Sequence, residues 1–380
     1  MVFDKSHIQL CKHTECTGCE ACRSLCPVGA INMQPVGNLL AEVPIINYDI
    51  CIKCHACEKV CPVINPLTLN SSSSAIAAIA IDKQINETST SGGIAAVISN
   101  WYIQNNGIVY GVVCEGRDIF HKRCVTKGEI TKLKGSKYVK SYLRNTYKEV
   151  KEDLKNNKNV VFFGTPCQIA GLKNFLYKDY NNLLTVDLIC HGNPSQKLLQ
   201  QHINSIIGNK NIDRIVFRED GYHMRLYNNN EIIYENNLWE SPFNDSYYTA
   251  FYIACASFRD SCYHCRYANP SRVGDLTIGD FWGLNKKVKF SRTPNGISVI
   301  LPNTEKGQNL LKTIDNQIET HIRPLKEAVD GNSQLRSPST LSFRAKIFRK
   351  LFSMGVSLKT ALRLAYLPTI PIYFLKSKLR

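Results

Sequence analysis

Between residues 75 and 190, short apolar runs alternate with longer segments in which apolar positions recur at helical spacing. The apolar runs predict strands at 75–81, 108–114, 160–163 and 183–190, and the intervening segments predict helices at 94–104, 147–156 and 169–176. Alternation of this kind indicates an α/β domain built on a largely parallel or mixed sheet. From residue 212 the pattern turns strand-rich, with apolar segments at 215–218, 224–227 and 232–234 around Asn-rich turns.

Changes in composition and in the hydrophobic pattern divide the chain into four parts. Residues 1–65 carry short apolar segments around a Gly37-Asn38 turn signal, and residues 66–74 read PLTLNSSSS, a composition typical of a linker. We therefore expect an α/β chain, α+β overall. A small domain at 1–65 precedes the linker at 66–74, a larger mixed-sheet α/β domain at 75–330, and a tail at 331–380.

The tail is basic and amphipathic. It holds ten Lys and Arg and no Asp or Glu, and Leu341, Phe343 and Ile347 alternate with cationic residues. This spacing predicts a helix suited to an anionic membrane surface or an acidic partner, and the alternative is a helical lid on the α/β domain. The apolar stretch at 366–375 is too short to span a bilayer and contains Pro368 and Pro371.

Composition narrows the cellular setting. The start of the 380-residue chain lacks the apolar core of a signal peptide, and no run of 18 apolar residues is present. We expect a cytoplasmic protein, with peripheral contact at the inner membrane face through the tail. Sixteen cysteines in a reducing compartment favour cofactor ligation over disulfides. Nucleic acid is not an expected partner, because no recognition motif accompanies the net charge of +16.

Two cysteine runs near the N-terminus carry the strongest chemical signal. Each is the C-x2-C-x2-C-x3-C-P run of bacterial-type ferredoxins, in which three cysteines hold one 4Fe–4S cube and the fourth completes the other. One predicted ligand set is Cys16, Cys19, Cys22 and Cys61, and the other is Cys51, Cys54, Cys57 and Cys26. A zinc module or a disulfide framework would use other spacings or an oxidising compartment. Cys11 precedes the runs and is expected to be a free thiol.

Three further cysteine elements lie in the large domain. Cys167 follows a predicted strand in Gly164-Thr165-Pro166-Cys167-Gln168, Cys190 ends another before His191-Gly192, and Cys262 and Cys265 form a C-x-x-C pair. Strand ends that meet glycine or proline turns are common ligand positions in α/β sheets. Taken alone, the two strand-end cysteines fit core packing, and the C-x-x-C pair fits a zinc half-site or a redox pair. Cys167 also suits a nucleophile at a helix N-terminus.

Six ordered motifs make the large domain resemble a known family. They are SGG (91–93), GSKYVKS (135–141), GTPCQIAGL (164–172), DLICHGNPS (187–195), SCYHC (261–265) and GDLTIGDFWG (274–283). In this order they resemble the beta subunits of coenzyme F420-reducing hydrogenase and related formate dehydrogenases. The resemblance implies an FAD-containing iron–sulfur oxidoreductase in which Cys167, Cys190, Cys262 and Cys265 hold a third 4Fe–4S cluster. Cys114, Cys124 and Cys255 lie outside the motifs and are expected to be structural, although Cys255 could replace one of the four.

The resemblance also implies that the ferredoxin-like domain at 1–65 is followed by a flavin domain at 75–330. Backbone N–H groups at a helix start favour a diphosphate, and a glycine turn beside a lysine and an aromatic ring suits phosphate and isoalloxazine. The expected FAD contacts are Ser91, Gly92, Gly93, Gly135, Ser136, Lys137, Tyr138, Thr165, Gln168 and Asp280, and the expected catalytic residues are His191 and Lys137. Local alternatives are a helix cap, a solvated lysine, core aromatics and a structural histidine.

The expected function is electron transfer between 4Fe–4S clusters and FAD, coupled to a small-molecule or coenzyme substrate that is deazaflavin- or ferredoxin-linked. A redox partner protein or reduced ferredoxin would exchange electrons with the N-terminal cubes. The alternative is a non-catalytic electron-carrier or docking subunit of a larger redox complex.

Overall fold

The computed structural model describes residues 8–240 and 243–367 of the chain. Its strands are β1 (Ile31–Val36), β2 (Ala41–Ile46), β3 (Asn70–Ser71), β4 (Ser74–Ala80), β5 (Ile108–Glu115), β6 (Asp118–Cys124), β7 (Val160–Gly164), β8 (Leu183–Leu188), β9 (Arg214–Val216), β10 (His223–Asn228), β11 (Glu231–Asn237), β12 (Ser271–Arg272), β13 (Leu276–Asp280), β14 (Ser298–Pro302) and β15 (Ile318–Pro324). Its α-helices are α1 (Ala21–Leu25), α2 (Ala56–Lys59), α3 (Lys83–Glu87), α4 (Ile94–Gln104), α5 (Lys127–Thr131), α6 (Thr146–Lys155), α7 (Pro166–Leu176), α8 (Gln196–Ile207), α9 (Ser246–Tyr248), α10 (Glu305–Thr313), α11 (Leu325–Gly331), α12 (Phe343–Ser353) and α13 (Leu358–Tyr366).

An eight-stranded mixed sheet forms the centre of the large domain, in the order β15-β4-β14-β13-β8-β7-β5-β6. Strands β13, β8, β7 and β5 are mutually parallel, whereas β14 and β6 run antiparallel to their neighbours. The predicted mixed-sheet α/β fold is thereby confirmed. The carboxyl ends of the parallel strands meet along one edge of the sheet, which is where α/β sheets place their ligands.

Both faces of the sheet are covered by helices. Val109 and Val161 face α4, α5 and α10, while their neighbours Val160 and Phe162 face α6 and α7. The alternation follows from the two-residue period of a strand. Because both faces are buried, the central strands read as continuous apolar runs, and VVFFG of β7 is buried throughout.

The N-terminal domain is a small α/β unit that packs against α6 and α7. It consists of the β1–β2 hairpin with α1 and α2, and its residues Cys19, Ala21 and Val60 belong to the same apolar cluster as those two helices. The segment predicted as a linker is also held in place, because β3 pairs antiparallel with β12. The small domain therefore sits directly on the large one.

The strand-rich region and the tail form a third packing layer. Strands β9, β10 and β11 make an antiparallel sheet that shares one apolar cluster with α8, α9, α12 and α13. The predicted amphipathic helix is present as α12, with Ala345 and Phe348 buried, so it covers the domain as a lid does. The predicted apolar stretch at 366–375 lies largely outside the described residues. Within the described ranges, no helix is both long enough and apolar enough to cross a membrane.

Two element bounds differ from their predictions for identifiable reasons. Helix α7 begins at Pro166 rather than at residue 169, because Thr165 and Gln168 form a capping box and Pro166 occupies the first turn. Strand β8 ends at Leu188 rather than at Cys190, since the chain leaves the sheet there. Helix α4 has the predicted bounds.

Candidate functional site

Two cavities in the N-terminal domain are lined by the two predicted ligand sets. The inner cavity contains Cys16, Cys19, Cys22 and Cys61 on its wall. The outer cavity contains Cys26, Cys51, Cys54 and Cys57. Each set combines three cysteines of one run with the last cysteine of the other, which is the bacterial ferredoxin arrangement.

The walls of these cavities fit iron–sulfur cubes. Apart from the thiols, the outer cavity is lined mainly by apolar side chains such as Ile31 and Ile46, which would shield a cluster from water. In the inner cavity, the hydroxyl of Thr17 is buried and has no hydrogen-bond partner among the described residues. Such a donor can point to a sulfur of a bound cube.

Cys11 also lines the inner cavity, although the runs do not include it. Hydrogen bonds with Cys16 and Cys61, together with burial, raise the pKa of its thiol far above the ordinary value. The same contacts lower the pKa values of Cys16 and Cys61. Cys11 is therefore a neighbour of two predicted ligands rather than an isolated thiol.

A second group of cysteines gathers beyond the carboxyl edge of the large sheet. Cys167 follows β7 in the first turn of α7, Cys190 follows β8, and Cys262 and Cys265 lie in and just after a 3-10 turn at Asp260–His264. These four residues, the four-thiol group, come from three separate segments. The sheet brings Cys167 and Cys190 together because β7 and β8 are adjacent and parallel.

The four thiols interact with one another. Burial raises the pKa of Cys265 to about 12, with further contributions from Cys167 and Cys262. Burial also raises the pKa of Cys190, to which Cys262, Cys167 and Cys265 add. Desolvated thiols at such close quarters would be stabilised as thiolates by a polynuclear metal centre.

Asn193 holds two of these thiols in place. Its side-chain amide lies 3.6 Å from the sulfur of Cys190, and its backbone N–H donates to the sulfur of Cys262. Hydrogen bonds to ligand sulfurs are a usual feature of iron–sulfur sites. Among the described residues, no three Cys, His, Asp or Glu side chains converge on a single-ion site. A cube differs in this respect, because each of its thiolates binds a different iron.

Two buried cations lie between the inner cavity and the four-thiol group. The amine of Lys140 is 3.5 Å from the sulfur of Cys167, and the guanidinium of Arg259 donates to the backbone oxygens of Cys16 and Glu42. Neither residue was singled out from the sequence. Lys140 was present in the GSKYVKS motif, and Arg259 lies three positions before Cys262, but neither position signals burial.

The Ser91-Gly92-Gly93 turn stands at the carboxyl edge of the sheet and begins α4. A Cβ at Gly92 would lie 2.3 Å from the carbonyl oxygen of Ala78, so strand packing alone requires a glycine there. Gly93 has φ +86° and is the N-cap residue of α4. The hydroxyl of Ser298 donates to that of Ser91 at 3.3 Å.

The 135–138 segment divides between two surroundings. Lys137 turns to the end of α5, where its amine donates to the carbonyl oxygens of Leu133 and Lys134, and burial lowers its pKa to about 8. Tyr138 stacks on Phe251 at 5.0 Å. Ser136 hydrogen-bonds to Tyr138, and Gly135 has φ +83°. Lys137 thus binds the backbone that follows α5, whereas Tyr138 belongs to an aromatic cluster.

A chain of polar contacts links the SGG turn to this aromatic cluster. Ser298 is the register partner of Asp280, and Asp280 accepts a hydrogen bond from Arg218 at 2.6 Å. The guanidinium of Arg218 lies over the ring of Tyr222 and acts electrostatically on Tyr138. Arg218 was not identified from the sequence.

Thr165 and Gln168 are engaged in local structure. They form the capping box of α7, and the amide of Gln168 also donates to the hydroxyl of Ser141. The hydroxyl of Thr165 lies 3.2 Å from the sulfur of Cys167. These two residues therefore orient the first turn of α7 and the thiol that it carries.

His191 follows Cys190, and both of its ring nitrogens have protein partners. Nδ1 contacts the side chain of Gln334 at 2.7 Å, and Nε2 contacts the sulfur of Cys255 at 3.3 Å. Burial lowers the pKa of His191, which favours the neutral ring. Cys255 is thus a partner of His191. The pKa of the Cys255 thiol is raised by burial, and none of the four thiols contributes to this shift.

Comparison with known proteins finds family matches for two parts of the chain. Residues 15–65 match the 4Fe-4S dicluster domain, and residues 157–328 match the C-terminal domain of the coenzyme F420 hydrogenase/dehydrogenase beta subunit. No curated protein matches the chain. A chain of the F420-reducing [NiFe] hydrogenase complex from Methanosarcina barkeri, studied as a xenon derivative, is 16% identical. The alignment covers 77% of this chain and 91% of that chain, with a TM-score of 0.41.

The matched ranges contain the eight cysteines of the two predicted ligand sets and the four-thiol group. The chain is therefore an iron–sulfur redox protein in which a 4Fe–4S dicluster domain precedes a region similar to the C-terminal domain of the coenzyme F420 hydrogenase/dehydrogenase beta subunit.

Proposed function

We propose that the chain is an FAD- and 4Fe–4S-dependent oxidoreductase in which electrons pass between the two N-terminal cubes, a third 4Fe–4S cluster and FAD. The observation that carries the proposal is the four-thiol group, assembled from three segments at the carboxyl edge of the sheet. Cys167, Cys190, Cys262 and Cys265 would hold the third cluster. The inner and outer cavities would hold the other two cubes.

The flavin would lie along the edge between the SGG turn and the aromatic cluster. Ser91 and Asp280 are connected there through Ser298, and Arg218 supplies a positive charge beside Tyr138. The loop at Gly135 adjoins the SGG turn, since Lys134 donates to Thr88. Bound there, FAD would exchange single electrons with a cluster and a hydride with a substrate.

His191 would serve as a proton donor in this scheme. Lys137 would act indirectly, because its hydrogen bonds to Leu133 and Lys134 fix the backbone that leads to Tyr138. The substrate class is a small molecule or coenzyme that accepts or donates a hydride, with a deazaflavin as first candidate. A reduced ferredoxin or another redox partner protein would exchange electrons with the outer cube. Exposed apolar side chains beside its cavity, Val28 and Ile52, support contact there.

The tail supports a further proposed contact, with an anionic membrane surface. The outward faces of α12 and α13 expose Phe343, Met354 and Leu364 together with Lys346 and Lys350. Exposed apolar side chains among cations suit insertion at an anionic lipid interface.

Iron and flavin analysis tests the proposal. Anaerobically purified protein is expected to contain about 12 irons and one FAD per chain, at four irons per cube. Cys265→Ala should lose about four of these irons, whereas Cys114→Ala, which changes a cysteine outside all three sets, should lose none. Eight irons without flavin in the wild type would leave a carrier subunit and overturn the oxidoreductase.

The electron donor can be identified on the same preparation. Reduced ferredoxin, NAD(P)H and reduced deazaflavin are each added under anaerobic conditions, and bleaching of the flavin absorbance is recorded. We expect bleaching by reduced ferredoxin through the N-terminal cubes and by reduced deazaflavin directly. Flavin that none of the three donors reduces would contradict the proposed substrate class.

A further inference from the structure

Lys140 and Arg259 are almost completely buried at the contact between the small and the large domain. Their relative exposures are 7% and 4%. The backbone N–H of Lys140 donates to the carbonyl oxygen of Pro194, and that of Arg259 donates to the carbonyl oxygen of Asn193. Both cations are thus anchored to the loop that follows Cys190.

Each cation acts on thiols on both sides of this contact. The pKa of Cys16 is lowered chiefly by its hydrogen bond with Cys11, and Arg259 and Lys140 add to that effect. Burial raises the pKa of Cys262, and the same two cations oppose the rise. The positive charges therefore lie within electrostatic reach of the inner cavity and of the four-thiol group.

Neither cation forms an ion pair with a carboxylate among the described residues. Arg259 reaches Glu42 through its backbone oxygen, and only a minor electrostatic effect extends to the carboxylate. Arg272, which is equally buried, pairs directly with Asp187. A buried charge without a counter-ion is strongly unfavourable. A 4Fe–4S cube with its thiolates, which carries about −2, would supply the missing negative charge.

The two centres that these cations adjoin approach each other closely. A Cβ added to Gly171 would lie 3.0 Å from the Cβ of Cys19, so α7 touches the wall of the inner cavity. Cys167 lies one helical turn before Gly171 on the same face of α7, about 6 Å along the axis. The outer cavity is farther from this contact, and its Cys54 is exposed.

We propose that Lys140 and Arg259 are positioning residues that raise the reduction potentials of the inner cube and of the third cluster relative to the outer cube. Reduction of a cube adds one electron and needs no proton, and a nearby buried cation stabilises the added negative charge. The part of the inference that concerns the third cluster rests on the proposed function. The part that concerns the inner cube requires only the dicluster domain.

An EPR-monitored redox titration of the full chain tests this inference. The variants are Lys140→Met and Arg259→Gln, with Lys59→Gln as control because Lys59 is an exposed cation of the small domain. The ratio of reduced to oxidised inner cube is measured at the midpoint potential of the wild-type inner cube. We expect this ratio to be lower than in the wild type by about threefold or more in both variants. The third cluster should respond in the same direction, while the outer cube and the Lys59→Gln protein keep wild-type values.

The conservative variant Lys140→Arg should restore wild-type potentials, which a purely structural role for the side chain does not require. Cys54→Ser, expected to lack the outer cube, assigns that cube's signal. Unchanged potentials, or equal changes in all the cubes, would overturn the inference. If the wild type contains only two cubes, the proposed function is wrong. The inference about Lys140 and Arg259 is then tested by the response of the inner cube to both variants. If one neutral variant loses iron, the other still provides this measurement.

Discussion

Two guanidinium nitrogens of Arg272, Nε and Nη2, donate to Oδ1 of Asp187, and the two side chains are 1% and 0% exposed. Asp187 lies in β8, just before the loop that carries Cys190, and Arg272 follows the segment that carries Cys262 and Cys265. Arg272 also donates to the backbone oxygens of Tyr267 and Leu188. The pair therefore joins two of the three segments that supply the four-thiol group.

Arg272→Met should destabilise the protein by about 3–5 kcal/mol, because it leaves the Asp187 carboxylate buried without its partner. Urea unfolding of the purified chain measures this loss. Arg144→Ala, which breaks an exposed ion pair with Asp118, is the control and should change stability by less than about 1 kcal/mol. Equal effects of the two substitutions would contradict a special role for the buried pair.

Gly171→Ala is expected to disturb the contact between α7 and the inner cavity. The added methyl group would meet Cys19 and the hydroxyl of Tyr147 at about 3.0 Å, a crowding that typically lowers stability by about 1–3 kcal/mol. Gly128→Ala, in α5 with open space at the Cβ position, should be neutral or slightly stabilising. Thermal unfolding of the two variants compares these effects, and wild-type stability of Gly171→Ala would refute the close contact.

Cys11→Ala should retain the iron of the N-terminal domain, whereas Cys61→Ala should lose about four irons per chain. Cys11 touches two predicted ligands but stands outside both runs, so its removal leaves each cube with four thiolates. Iron analysis after anaerobic purification measures both variants. Loss of iron from Cys11→Ala alone would mean that Cys11 is a ligand in place of Cys61.

Removal of iron should unfold the N-terminal domain before the large sheet. In the apolar cluster around the outer cavity, Ile8, Ile31 and Cys57 are the fully buried members, which is a small core without a cube. Limited proteolysis after treatment with a chelator and an oxidant is expected to cut first within residues 8–65. Initial cleavage in the central sheet would show that the domain does not depend on its clusters.

Replacing Lys346 and Lys350 together by Glu should abolish binding of the full chain to vesicles of phosphatidylglycerol. Both cations lie on the exposed face of α12, and their charge reversal repels an anionic surface. Lys53→Glu, on the N-terminal domain, is the control and should bind as the wild type does. Co-sedimentation measures binding, and a wild type that stays in the supernatant would refute the membrane contact.

The sequence was most informative where chemistry is local in the chain. The two cysteine runs predict which thiols share a cavity, because ligand spacing within a run is fixed by the size of a cube. Helix α4 was predicted with correct bounds from its apolar spacing. The start of α7 was missed, although Thr165, Pro166 and Gln168 provide a capping signal in the sequence.

The large-domain site depends on contacts between distant positions, which a single sequence does not reveal. The order of the motifs indicates Cys167, Cys190, Cys262 and Cys265. Only the pairing of β7 with β8, however, explains why Cys167 lies near Cys190. Lys140, Arg218 and Arg259 were overlooked because charged residues are usually solvated, and local sequence gives no sign of their burial. The serine-rich composition of residues 66–74 predicts a linker. Composition gives no sign that β3 pairs with β12.

The contact between the domains also limits how this chain can diversify. A Cβ added to Gly18 in the dicluster domain would lie only 2.9 Å from the guanidinium of Arg259, and Gly171 of the other domain similarly faces Cys19. A borrowed dicluster domain with any side chain at position 18 would therefore clash with Arg259. The two halves are therefore expected to be inherited and to mutate as one unit, with compensating changes across their boundary, rather than to be exchanged as independent modules.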